Sequence, residues 1–376
     1  MERKLSVVFT VSSRSWGGNE KWAAEAARGL ALRGHRVLVL WSHRPVADGL
    51  RLCGVPGRRV RLWGDLNPVG LLALVRAFRE ARADAVVLTK QRDHWMGGLV
   101  ARLAGRPLVV FRLGLRRPLQ DDLKRRLTFG RFADRVVVNS SAIRETLLES
   151  PWVDPATIDV LLNGVSIEPI REGAGREILD SLGIPPGCPV VCGAGRLTRQ
   201  KGFDVLIRAF SGVLASHPDA VLLILGEGGR RDSLRETAEA AGVGGRVIFA
   251  GHRDDVRTIL SAVDVYALAS RNEGMANTLL EAMSVGAPIV ATDVSGTLEA
   301  VRHDREALVV PPDRVRELSE AIVTLLGDRE KAGRLGSAAI ERAREKFGYD
   351  RMAAELERII VRGLDERGEA SGQRES

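Results

Sequence analysis

The chain has 376 residues, 45% apolar and 28% charged, a composition that suits a globular protein of two domains and excludes a fibre or a disordered chain. No run nears the roughly 20 apolar residues of a membrane span, and LSVVFTVS is too short for a signal-peptide core, so the mature chain is expected to begin near Met1 and to work in the cytoplasm. Cys53, Cys188 and Cys192 form neither a CxxC pair nor an even disulfide framework, and the six histidines include no HExxH, which argues against structural zinc. Charge divides unevenly: residues 1–165 hold 28 Lys and Arg against 15 Asp and Glu, whereas the remainder hold 28 against 33. Such asymmetry points to two domains with different partners, the basic one facing something anionic.

In chain order, the first half alternates β-rich runs with amphipathic stretches: KLSVVFTVS, a helix from about Asn19 to Arg33, HRVLVLW, then ADAVVLT, RPLVVFR and DRVVVNS. Strand and helix in regular alternation predict a parallel sheet with helices on both faces. The pattern repeats in PVVCGAG, a helix from Phe203 to about Ser216, AVLLILG, RVIFAG, DVYALAS, APIVATD and EALVVP. Two doubly wound units are therefore expected. The Gly-, Pro- and charge-rich segment IEPIREGAGREILDSLGIPPGCP between them is the expected hinge, residues 342–363 read as one charged amphipathic helix, and DERGEASGQRES reads as disordered.

Three loops could carry chemistry. In DVYALASRNEGMANTLLEAM a strand leads through a loop into a short helix, for which Asn277 is the expected N-cap. Ligands of open parallel sheets bind beyond the strand carboxyl ends, where a helix start favours an anion. Gly274 would let the loop approach a ligand, and the amides near Asn277 and Thr278 could receive a phosphate. Glu281 could accept hydrogen bonds from two vicinal hydroxyls of a ribose, with Glu273 reaching beyond the phosphates. The alternative is a capped helix with two solvated glutamates. In VVCGAGRLTRQKGFDVLIRAF, the polar loop after the strand carries Arg196 and Lys201, two cations suited to a departing diphosphate or, alternatively, a solvated basic loop. Near the N-terminus, Gly17 and Gly18 lie between strand and helix, where they either let a loop touch a ligand or serve a structural turn. No GxGxxG or GxxxxGK[ST] follows these strands, which counts against dehydrogenase and P-loop chemistry.

Taken together, the loop with Gly17, Gly18 and Glu20, and the phrases LLNGVSIEP, GAGRLTRQKGFDVLIRAF, LLILGEG and EGMANTLLEAMSVGAPIVATDVSGTLE, resemble the retaining glycosyltransferases of group 1, family 4. The resemblance covers about residues 5–350. It implies an α/β protein of GT-B type: two Rossmann-like doubly wound domains facing across a cleft. The N-terminal, acceptor-binding domain would be residues 1–166 and the nucleotide-sugar donor domain residues 167–345. A helix at 346–363 would pack back on the first domain, followed by a disordered tail at 364–376.

By that resemblance Arg196 and Lys201 neutralise the donor diphosphate, and Glu273, the third catalytic residue, contacts the donor sugar near the reacting carbon. Glu281 holds the ribose, Met275, Ala276, Asn277 and Thr278 give backbone contacts, and Gly17 and Gly18 lie over the diphosphate. The chain has no DxD, so the expectation is a reaction without metal or other cofactor, its cations replacing the ion. Relatives often end the strand matching RPLVVFR with a histidine near the sugar; here Arg112 follows, which makes Arg112 and His94 candidates for sugar or acceptor contact. The expected partners are a nucleotide-sugar donor and a glycan or glycolipid acceptor of polysaccharide or lipopolysaccharide synthesis. The basic segment 112–131 is expected to touch either an anionic membrane at its inner face or a phosphorylated acceptor, the alternative being a solvated face. An epimerase on the same fold or a basic binding protein are the alternatives. Nucleic acid is not an expected partner: aromatics are 5% and no helix-turn-helix, zinc-finger or RNP-like phrase occurs.

Overall fold

The computed structural model describes residues 4–60 and 68–372, which form two compact units. Unit 1 comprises the chain to Gly164 together with the stretch from Tyr349 onward, and unit 2 comprises Val165–Gly348.

Among the described residues, unit 1 is built on a seven-stranded sheet: β1 (Ser6–Val11), β2 (Arg36–Trp41), β3 (Gly57–Arg59), β4 (Ala85–Leu88), β5 (Leu108–Leu113), β6 (Arg135–Val138) and β7 (Ile158–Val160). Its order is β3-β2-β1-β4-β5-β6-β7, with every pairing parallel. Unit 2 carries a six-stranded parallel sheet of β8 (Val190–Ala194), β9 (Val221–Leu225), β10 (Val247–Gly251), β11 (Val265–Leu268), β12 (Ile289–Thr292) and β13 (Leu308–Val310), ordered β10-β9-β8-β11-β12-β13. The doubly wound α/β class expected from the alternation is thus found twice. The central strands are mostly apolar, as a sheet covered on both faces requires: β1 and β4 are buried at every residue, as are β8, β9 and β11. The two strands that the sequence did not announce, GRR and IDV, are three-residue edge strands with charged residues and no apolar run.

Three expectations are corrected. Segment 167–189 is part of unit 2: it holds the helix Ala174–Ser181, and Arg257 donates a hydrogen bond to the Glu168 carbonyl. The chain passes between units instead at Gly164–Val165 and at Gly348–Tyr349. Residues 342–363 are not one helix, since Arg329–Lys346 ends at Phe347 and a separate helix runs from Tyr349 to Gly372. Residues 364–372 of the expected tail therefore belong to that helix, where Glu366 pairs with Arg135 at 3.0 Å and Arg367 with Asp134 at 3.2 Å; residues 373–376 lie outside the described residues.

This last helix completes the core of unit 1. Met352, Leu356, Ile359 and Ile360 are buried against the helix Gly18–Leu32, where Gly29 allows Ala353 to approach its backbone. Glu357 closes the contact by pairing with Arg33 and, at 3.0 Å, with His35. Among the described residues no helix is long and apolar enough to cross a membrane. Because Leu356 is fully buried, Leu356→Ala should destabilise unit 1 by about 2 to 5 kcal/mol. Denaturant unfolding would show a lowered transition, and an unchanged midpoint would mean that the helix adds nothing to the unit.

Candidate active site

In unit 2 the strand order reverses between β8 and β11, so the loops leaving their carboxyl ends border the crevice where open α/β sheets bind ligands. These are the loops carrying Arg196 and Lys201 and carrying Glu273. They are in contact: Gly202, at φ +64°, lies so close to the Ala269 carbonyl that any side chain would collide with it. Gln200 donates to the Asn272 carbonyl at 2.6 Å, and the Arg271 amide donates to the Gln200 carbonyl at 2.8 Å. Arg271 adds a clamp, its guanidinium gripping both Asp204 oxygens at 2.9 and 2.8 Å and reaching Asp313 at 2.6 Å. The Arg271 hydrogen bonds hold the Asp204 carboxyl below its ordinary range.

The clamp brings the predicted charges together. Lys201 Nζ lies 2.6 Å from Glu273 Oε1, which also accepts a hydrogen bond from Ser270 at 2.7 Å. Both partners are largely withdrawn from water, Glu273 being 6% exposed. Arg196 is exposed on the same loop as Lys201. Behind them the helix Asn277–Val285 begins, with its positive dipole end at the crevice. Its cap is Ala276 in extended conformation with no side-chain cap, which corrects the expected role of Asn277, now the first helical residue. Thr278 ties the helix start to the sheet, through a 2.7 Å contact with the Tyr266 hydroxyl and a 3.3 Å hydrogen bond to the Ala194 carbonyl. Gly296 permits a very close approach to the Gly274 carbonyl, which sets the loop height around Met275.

Glu281, one turn into the helix, is also buried at 6% exposure. The alternative of two solvated glutamates is therefore not what is found. Burial pushes the Tyr266 hydroxyl pKa far above its usual range, with nearby Cys192, Glu273 and Glu281 adding to the effect. Arg196, Lys201, Glu273, Met275, Ala276, Asn277, Thr278 and Glu281 thus occupy two touching loops and one helix start. Ser270, Gln200, Tyr266 and the Arg271–Asp204 clamp were missed, because single polar residues carry no periodic signal.

Gly17, Gly18, His94 and Arg112 belong to unit 1. Gly17, with extended backbone, caps the helix Gly18–Leu32 after β1, which neighbours β4 where this sheet reverses. His94 and Arg112, the expected sugar or acceptor contacts, both have buried side chains with partners inside unit 1. His94 is fully buried, stacked on Phe111 with centroids 4.2 Å apart, with Nε2 3.0 Å from the Leu88 carbonyl; burial pushes its pKa down to about 4. Arg112 lies over the Trp22 ring at 4.3 Å and donates to Asn19 Oδ1 at 2.6 Å and Asn163 Oδ1 at 2.9 Å. Burial lowers its pKa to about 10 against the opposing influence of Glu20. Asn19 in turn donates to the Thr89 carbonyl at 3.0 Å, and buried Glu20 pairs with Lys90 at 2.6 Å. These bonds tie the Gly17–Gly18 loop to the end of β4, a network with no advance signal beyond Glu20.

Residues 176–342 match the family "Glycosyl transferases group 1" and residues 16–169 match "Glycosyltransferase Family 4". A 2-deoxystreptamine N-acetyl-D-glucosaminyltransferase of Streptomyces fradiae is 31% identical over 95% of this chain and 92% of its own. A lipopolysaccharide core biosynthesis glycosyltransferase, LpsE of Rhizobium meliloti, is 33% identical over 58% of this chain and 62% of its own. Among solved structures, Anabaena HepE in complex with UDP and glucose superposes with a TM-score of 0.84 at 22% identity, over 95% of this chain and 99% of that one. The two parallel sheets, with the paired loops at the second one's switch point, define a GT-B glycosyltransferase fold. The chain belongs to the group 1 glycosyltransferases, as its loop phrases suggested.

His94 gives this region a pH signature. Below pH 6.5 the unfolded chain protonates this histidine, whereas the folded chain does so only near pH 4, so the residue withdraws stability as pH falls through that window. Neighbouring Asp93 works in the opposite sense, since burial raises its folded pKa from 3.8 to about 6. His94→Gln removes only the first effect. The stability difference should therefore move in the variant's favour by about 2 kcal/mol between pH 7.5 and 5, measured by paired melting curves. A difference independent of pH would show that His94 titrates in the folded protein as it does in the unfolded chain.

Proposed function

We propose that the protein transfers a sugar from a nucleoside diphosphate sugar to a glycan or glycolipid acceptor, with retention of configuration and without a metal ion. The observation that carries this is the Lys201–Glu273 pair, 2.6 Å long, in the crevice between β8 and β11 and beside a helix start. A diphosphate entering there offers Lys201 a stronger anionic partner, and its release frees Glu273 to accept hydrogen bonds from the donor sugar. As the bond from the anomeric carbon to the diphosphate breaks, the electron pair stays on the phosphate oxygen, where Lys201, Arg196 and the helix dipole meet the growing charge. The acceptor oxygen bonds the same face of that carbon, and its proton passes to the departing phosphate. Glu281 takes the ribose hydroxyls, while Met275, Ala276, Asn277 and Thr278 provide backbone contacts.

Because the Anabaena neighbour holds UDP, UDP is the first nucleotide to test. A thermal-shift series with UDP, GDP and ADP, with and without EDTA, should give a shift with one of them that survives chelation. At about 100 times Kd the added stability is roughly 2.7 kcal/mol. Glu281→Ala should weaken nucleotide binding about tenfold or more, whereas Glu273→Gln should leave it intact and lower kcat by roughly 100-fold or more. The reverse pattern, or a shift abolished by EDTA, would sink the assignment.

A peripheral contact with anionic membrane is supported by the helix Leu123–Leu127, where Leu123 is 72% exposed beside Lys124, Arg125 and Arg126. Leu123→Glu should reduce co-sedimentation with phosphatidylglycerol vesicles relative to phosphatidylcholine vesicles. Unchanged sedimentation would leave this a solvated face.

A further inference from the structure

Unit 1 contains a cavity of about 360 Å³ just beyond the carboxyl end of β4, lined chiefly by Arg92, Trp95, Lys124, Arg125, Thr128 and Phe129. Its lining presents three cations and no carboxylate. The aromatic side is fixed: Trp95 packs on Phe132 with centroids 5.3 Å apart, and Phe129 lies edge-on to both His94 and Phe111. Lys124 Nζ stands 5.7 Å from the centre of the Trp95 ring. Arg92 donates to the Ser12 carbonyl at 3.2 Å, in the loop that carries Gly17 and Gly18, and Arg125 pairs with Asp122. A solvated basic face would need neither concavity nor aromatic walls, and an apolar pocket would not be ringed by three cations.

We propose that this cavity binds a phosphomonoester whose attached skeleton has a flat or apolar face. A phosphomonoester carries between one and two negative charges near neutral pH and three acceptor oxygens, which matches Arg92, Lys124 and the part of Arg125 not balanced by Asp122. A carboxylate would satisfy fewer of these donors. The attached skeleton would rest on Trp95 and Phe129, as flat or apolar groups do on aromatic faces. The inference rests on the proposed glycosyl transfer only in taking this phosphomonoester to be part of the acceptor. Its source is either a soluble phosphorylated molecule or a lipid headgroup.

The test is calorimetric titration of the full chain with phenyl phosphate at constant ionic strength, with phenyl β-D-glucoside as the uncharged control. Saturable binding is expected, at least tenfold tighter than the control. Arg92→Gln and Lys124→Gln should each weaken it about tenfold, the effect of one charge-assisted hydrogen bond, while Leu123→Glu leaves it unchanged. Circular dichroism and the UDP thermal shift, both expected to match wild type, establish that the variants fold. Vesicles containing phosphatidic acid or phosphatidylglycerol, matched in surface charge, separate the sources. Preference for phosphatidic acid, lost in both variants, supports a lipid-borne phosphate; phenyl phosphate binding without that preference supports a soluble one. Absence of saturable phenyl phosphate binding, or indifference to both substitutions, overturns the proposal. A missing UDP response with intact phenyl phosphate binding would instead overturn the donor assignment and leave the cavity assigned.

Discussion

The candidate site of the second unit is organised around an ion pair held largely out of water. Lys201 and Glu273 come from loops 72 residues apart, and each would be strongly destabilising alone at its depth. They persist because the Arg271–Asp204 clamp and the Gly202 approach to Ala269 fix the two loops against each other before any ligand arrives. The pair is a poor device for stability, since well-packed apolar residues would serve as well. In the proposed reaction its value is that two opposite charges are already placed and largely desolvated, so that little reorganisation would remain when a diphosphate takes the place of one partner.

Unit 1 solves a related problem differently. Its polar interior, with Arg112, Asn19, Asn163 and the Glu20–Lys90 pair, holds the loop after β1 against the end of β4. Arg112 thereby acts on the glycine loop through Asn19 rather than through any contact of its own. Exposed cations are spread along the same half of the chain, Arg14, Arg44, Arg59 and Arg106 among them, and several of those around residues 116–131 are matched locally, Arg125 by Asp122 and Arg126 by Asp121.

Much of this was legible in advance because parallel sheets advertise themselves. Every strand of unit 2 is a short apolar run bounded by turn residues, and the helix Phe203–Ser216 is marked at its start by the Gly202 turn. The E-x7-E spacing was readable too, since seven intervening residues put one carboxylate in the loop and the next a turn into the helix. What could not be read depends on distant partners. The burial of His94 requires Phe111 and Phe129, and the inward turn of Arg112 requires Asn19 and Asn163. Nor does a charged sequence such as DERGEASG reveal that Arg135 and Asp134 await it.

The return of the final helix to unit 1 has a consequence for biosynthesis. Gly29, Leu30 and their neighbours on the helix Gly18–Leu32 are buried only once Met352, Leu356 and Ile359 have been made. All of residues 165–348 must be synthesised in between, roughly ten to forty seconds at ordinary rates of chain elongation. During that interval the second unit, contiguous in sequence, can fold to completion, while the first waits with an open apolar seam. The nascent chain is therefore most exposed to aggregation and chaperone capture at its oldest end, and emergence of the final helix is the event that seals it.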